Sequence, residues 1–135
     1  MSAQDNVRVV QQFLQALGAR DIPAGMQLLA DDVVLVSPGP PELVPWAGEY
    51  HGPDGVGQYY MAFSQGVETS GMEVREIIAQ GDKVVVLGQH TGLVRATGRS
   101  YDLNWAQVYT VLEGKVAGLH SYHDTYQVAE AARSD

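Results

Sequence analysis

The 135-residue sequence contains no cysteine, which excludes a disulfide framework, a thiol nucleophile and a thiolate metal site. Positive charge is scarce: 8 Lys and Arg stand against 16 Asp and Glu, a formal net charge of −8 at pH 7. An acidic chain repels phosphate backbones and anionic leaflets, and its few basic residues are scattered. No nucleic-acid or membrane partner is therefore expected. No apolar run approaches the roughly 20 residues of a spanning helix. The polar stretch Met1-Ser2-Ala3-Gln4-Asp5-Asn6 lacks the basic and apolar regions of a signal peptide, so a cytoplasmic location is expected. What is present suits a folded domain: 45% hydrophobic and 18% charged residues, in a chain long enough for one domain over 1–135 to bury a core unaided.

Val7, Val10, Phe13, Leu14 and Leu17 recur at helical spacing, with Ser2-x-x-Asp5 able to cap the start. Asp21 can cap a second, shorter helix carrying Ile22, Met26 and Leu29. Val33-Val34-Leu35-Val36 is β-branched and apolar, which predicts a strand. Residues 37–52 hold four of the six prolines and form a long irregular loop carrying Leu43, Val44, Trp46 and Tyr50. Pro53 can start a third helix bearing Val56, Tyr59, Tyr60 and Phe63. Strands are then predicted at about 72–80, 83–94, 100–112 and 115–126, with turns at Gly81-Asp82, Thr97-Gly98 and Glu113-Gly114. Ala129, Ala131 and Ala132 suggest a short tail helix. Helices first and antiparallel strands afterwards predict an α+β fold with helices on one face of the sheet.

The densest chemistry lies in His120-Ser121-Tyr122-His123-Asp124-Thr125-Tyr126. Strand alternation puts His120, Tyr122, Asp124 and Tyr126 on one side and Ser121, His123 and Thr125 on the other. A two-residue turn at Glu113-Gly114 places Leu112 opposite Lys115, and therefore Gln107 opposite His120, Trp105 opposite Tyr122 and Leu103 opposite Asp124. Tyr101, Leu103, Trp105, Tyr109 and Val111 share the Gln107 side, an apolar and aromatic face that belongs inside. The register thus predicts His120, Tyr122 and Asp124 facing inward; one extra residue would reverse that. A two-residue turn at Thr97-Gly98 would bring His90 opposite Trp105, flanked by Gly88 and Gly92, which leave room for a ligand. A concave face with aromatics and a few polar groups is the usual make-up of a small-molecule pocket.

Four segments carry a family resemblance: Leu28-Leu29-Ala30-Asp31-Asp32-Val33; the loop from Pro45-Trp46-Ala47-Gly48 through Tyr50-His51-Gly52-Pro53 to Val56; the hairpin from Trp105 through Glu113-Gly114-Lys115-Val116; and Tyr122-His123-Asp124-Thr125. Together they resemble the SnoaL-like polyketide cyclases and ketosteroid-isomerase-like proteins of the nuclear-transport-factor-2-like superfamily. The resemblance implies a curved antiparallel sheet wrapped into a cone around a pocket, packed against three N-terminal helices, and a homodimer formed through the outer sheet face. It places a general acid/base carboxylate at Asp124. The isomerase base would fall among Val34, Leu35, Val36 and Ser37, where no carboxylate stands, and the first helix has no tyrosine for an oxyanion hole. True ketosteroid isomerase chemistry is therefore not expected.

The expected function is binding of a small hydrophobic or aromatic carbonyl compound, with cofactor-independent proton transfer of the cyclase, isomerase or dehydratase kind as the enzyme hypothesis. Asp124 would move the proton, helped by His120, while Trp46, Tyr60, Phe63, His90, Trp105, Gln107 and Tyr122 would hold the ligand. Each has a structural alternative: Asp124 as a structural aspartate bonded to loop amides or to Tyr122, the histidines as satisfied pocket walls, the aromatics as ordinary core. A non-catalytic binding or dimerisation module is the rival. No metal is expected, because His120 and His123 point to opposite faces of a strand and His51 is isolated. Gly52-x-x-Gly55-x-Gly57 lacks the Lys-Ser/Thr ending of a phosphate loop, and there is no Gly-x-Ser-x-Gly elbow. No cofactor is expected.

Overall fold

The computed structural model describes residues 2–134. Helix α1 (Ala3–Gly18) begins at a complete capping box: the Asp5 amide donates to Ser2 Oγ at 3.1 Å and the Ser2 amide to Asp5 Oδ2 at 3.2 Å. Its buried face is Asn6, Val9, Val10 and Phe13. Asn6 is buried because its amide donates to the Gly81 carbonyl at 3.1 Å, which fastens α1 to a distant hairpin turn. Helix α2 (Ile22–Met26) is capped by Asp21, whose carboxylate accepts from the Ala24 amide at 3.2 Å.

Strands β1 (Leu29–Ser37) and β2 (Gly48–His51) flank the proline-rich loop, helix α3 (Gly52–Gly66) follows, and four long strands come next: β3 (Val67–Gln80), β4 (Lys83–Val94), β5 (Arg99–Leu112) and β6 (Lys115–His123). Helix α4 (Thr125–Ala132) closes the described chain. The six strands form one curved, unclosed sheet in the order β2-β1-β6-β5-β4-β3. All pairs are antiparallel except β1 and β6, which run parallel.

One face of the sheet is buried. Along β4 it is Val84, Val86, Gly88, His90, Gly92 and Val94 that turn inward, and along β5 Tyr101, Leu103, Tyr109 and Val111. Phe13 of α1 packs edge-on against Tyr109 at 6.1 Å and lies 6.2 Å from Tyr60 of α3. These rings anchor one apolar cluster beneath α1. A second, built on Val44, Trp46, Val67, Val94, Tyr101, Leu103, Val128 and Ala131, lies toward α4.

Two register details decide the site. The β4–β5 loop is two residues longer than a tight turn: Val94 pairs with Arg99, and the Gly98 amide donates back to the Val94 carbonyl at 2.8 Å. An even shift preserves which side chains face inward, so His90 is inward as expected but stands opposite Leu103, while Gly88 stands opposite Trp105. The β5–β6 turn is the expected tight one, with Glu113 at φ 51° and Gly114 at φ 78°, as a type I′ turn requires. Leu112 pairs with Lys115 and Val111 with Val116, but then Thr110 pairs with Gly118. Ala117 is the extra residue of a β-bulge, and every later side chain of β6 is reversed.

Candidate functional site

The bulge exchanges the polar set offered to the interior. Gln107 stands opposite Ser121 and Trp105 opposite His123, while Val108 faces His120 and Ala106 faces Tyr122 on the outer side. His120 and Tyr122, expected inside, are exposed and stack on each other with centroids 4.4 Å apart. Asp124, also expected inside, ends the strand three residues early. Its carboxylate caps α4, accepting from the amides of Tyr126 at 3.1 Å and Gln127 at 3.4 Å. It is exposed, on a surface groove shared with Asp102, Asn104 and Gln127.

A cavity of about 80 Å³ opens between the inner sheet face, α3, α4 and the loop that carries Trp46. Of the residues expected to hold a ligand, Trp46, Phe63, His90, Trp105 and Gln107 line it. Tyr60 does not; it packs in the first cluster against Phe13 and Tyr59. Ser37, Tyr59, Met72, Tyr101, Leu103, Ser121, His123 and Val128 complete the lining. Ser121 and His123 escaped sequence reasoning because of the bulge. A signal for it existed: Val116 and Leu119 are both apolar at odd separation, with Gly118 between them, and a strand glycine often marks a bulge.

The lining has no Asp, Glu, Lys or Arg, so its polarity is that of neutral donors and acceptors. His90 is committed at both nitrogens: Nε2 lies 3.0 Å from Thr69 Oγ1 and Nδ1 3.3 Å from the Tyr101 hydroxyl. Burial lowers its pKa, and the nearby His123 lowers it further. Burial raises the Tyr101 and Tyr59 phenols, which stay protonated at neutral pH. Tyr59 takes a hydrogen bond from Ser37 Oγ at 3.4 Å. Gln107 Oε1 accepts from the Tyr109 hydroxyl at 2.7 Å, which leaves its amide donors uncommitted.

His123 differs from His90. Its ring makes no hydrogen bond among the described residues, and burial depresses its pKa against the opposing pull of the Asp124 carboxylate. It is therefore a neutral base at physiological pH with an unengaged ring, one ladder step from Ser121 and Gln107. The Trp105 indole N–H is the one buried side-chain N or O atom without a partner among the described residues, a cost of about 1–3 kcal/mol. Among those residues no group of three His, Asp or Glu side chains is placed to hold a metal, and no helix is long and apolar enough to cross a membrane.

Comparison with known proteins fits this architecture. A nuclear-transport-factor-2-like protein from Burkholderia xenovorans is 34% identical, superposes with a TM-score of 0.91, and matches over 98% of this chain and 99% of its own. A protein from Mesorhizobium loti described as a SnoaL-like polyketide cyclase shares the fold at 21% identity and a TM-score of 0.70, over 86% of this chain and 97% of its own. A Catenulispora acidiphila protein with a ketosteroid-isomerase-like fold, solved with trimethylamine, does so at 13% identity and a TM-score of 0.74, over 92% of this chain and 91% of its own. No curated protein matches the chain significantly. The SnoaL-like domain model matches residues 10–119, and with the cone-shaped sheet and its cavity this establishes that the chain belongs to the SnoaL-like domain family.

Proposed function

We propose that the protein binds a small hydrophobic carbonyl compound in this cavity and moves a proton on it without a cofactor, with His123 as the acid–base group. The observation that carries this is the placement of a neutral imidazole, unbonded among the described residues, beside Ser121 and the free amide donors of Gln107 in a cavity without charged side chains. His123 would take a proton alpha to the carbonyl, and the developing enolate oxygen would accept hydrogen bonds from Ser121 and the Gln107 amide. His123 would then return the proton to another atom, as a cyclase, isomerase or dehydratase step requires. The described isomerase-like and cyclase-like neighbours make the fold compatible with such chemistry.

The test is alpha-proton exchange of acetone and cyclopentanone in D₂O, followed by NMR. The wild-type protein is expected to accelerate exchange, and His123→Gln to return it to the buffer rate. Exchange that persists in His123→Gln would remove His123 from the chemistry. A second reading, a binding module without catalysis, is favoured by the lack of any carboxylate in the lining. It predicts saturable binding of the same ketones with no exchange. We also propose that two copies pair through the outer sheet face, where Ile78, Leu112 and Tyr122 are about half exposed, at 50%, 49% and 51%.

A further inference from the structure

Three aromatic walls of the cavity rest against glycines. A Cβ at Gly66 would lie 2.5 Å from Trp46 Cζ3, one at Gly88 would lie 2.3 Å from Trp105 Cζ2, and one at Gly92 would lie 2.8 Å from the Tyr101 hydroxyl. In each case the ring already occupies the space that any other residue's side chain would fill. These walls are seated as far back as the backbone behind them permits, so small ring shifts cannot enlarge the cavity at these three places. The Gly88 position is bounded by main chain as well, with the Glu73 carbonyl 2.4 Å from the same Cβ site. Trp46 is also wedged edge-on against Phe63, with centroids 5.9 Å apart.

The space left, about 80 Å³, is roughly half the ~150 Å³ of a cavity that takes one benzene. No charged side chain lines it, so an ionic group would enter without a counter-charge. We propose that Trp46, Tyr101 and Trp105, each backed by its glycine, form a size gauge that restricts the ligand to a compact, uncharged aliphatic carbonyl compound and excludes aromatic rings. This rests on the ligand-binding reading of the cavity given above, and it narrows that reading from hydrophobic compounds in general to small aliphatic ones.

The experiment is a titration with neutral ketones of increasing bulk: acetone, cyclopentanone, acetophenone and acetylnaphthalene. The readout is the pair of indole N–H signals in two-dimensional NMR, assigned with Trp46→Phe and Trp105→Phe, since both tryptophans of the chain line the cavity. In the wild-type protein acetone should shift both signals saturably, and acetophenone and acetylnaphthalene should leave them in place. In Trp46→Phe or Trp105→Phe, acetophenone should bind about tenfold or more tighter than in the wild-type protein, as expected when a steric limit in an apolar pocket is relieved. Wild-type affinity for acetophenone equal to that for acetone would overturn the gauge while leaving the ligand reading intact. So would a folded Phe variant that gains nothing. Failure of every ketone to shift either signal in any variant would refute the ligand reading itself, and the gauge with it.

Discussion

Gln107 of β5 pairs with Ser121 of β6, one residue further along than the Leu112–Lys115 turn pair alone would place it. The whole offset comes from Ala117. Without that residue, Val116 and Gly118 would be consecutive and tight-turn counting would give the observed ladder. Deleting Ala117 should therefore heal the bulge, keep Ser121 and His123 inside, and cost less than about 3 kcal/mol in urea denaturation. Deleting Leu119, a buried residue of the regular ladder, should abolish the cooperative transition.

Asp124 holds the start of α4. Asp124→Asn preserves a good capping side chain and should leave stability within a few tenths of a kcal/mol, whereas Asp124→Ala should cost about 1 kcal/mol. Neither should weaken ketone binding in the cavity. A loss of alpha-proton exchange in Asp124→Asn, with folding intact, would return the carboxylate to the chemistry.

Stability should depend on pH through the buried imidazole of His90 and the partly buried one of His123. Burial holds His90 and His123 below the ordinary histidine value of 6.5 in the folded protein, so the unfolded chain takes up protons first as pH falls. Their contribution is complete above about pH 6.5, declines below it, and levels off under the folded pKa values. Thermal melts from pH 7.5 down to 5 should show a falling Tm, with a shallower slope in His90→Gln and His123→Gln. Identical slopes in all three proteins would refute the assignment.

Two glycines should respond oppositely to alanine. Gly18 ends α1 with no atom within 4 Å of its Cβ site, so Gly18→Ala should stabilise by about 0.5–1 kcal/mol through helix propensity and unfolded-state entropy. Gly66→Ala drives a methyl into Trp46 and should destabilise by about 1–3 kcal/mol, with an altered tryptophan emission spectrum. Denaturation curves of the two variants decide both.

Val108 lies on the outer face between Val85 and His120. If copies pair through that face, Val108→Lys should halve the mass measured by light scattering while preserving the far-ultraviolet circular dichroism spectrum.

Much of this architecture is legible because local rules agree. The capping box and apolar spacing define α1, β4 runs over the predicted 83–94, and the odd-numbered face of β5 is inward as its aromatics demand. His90 faces inward as its sequence position predicts because the β4–β5 loop exceeds the expected turn by an even number of residues. The expected inward placement of His120, Tyr122 and Asp124 does not hold, because a single bulge residue inverts a period of two. The parallel pairing of β1 with β6 and the short β2 within the loop rest on contacts distant in sequence, which no local pattern encodes.

His123 is the last residue of β6, Asp124 caps α4, and Val128 of α4 forms part of the cavity wall. Strand end, cap and wall are thus one continuous joint within six residues of chain. Unwinding of α4 would remove a wall and loosen the anchoring of the imidazole in the same event, so this local opening is also a doorway. Occupancy of the cavity would be felt as slower hydrogen exchange along α4, far more than along α1.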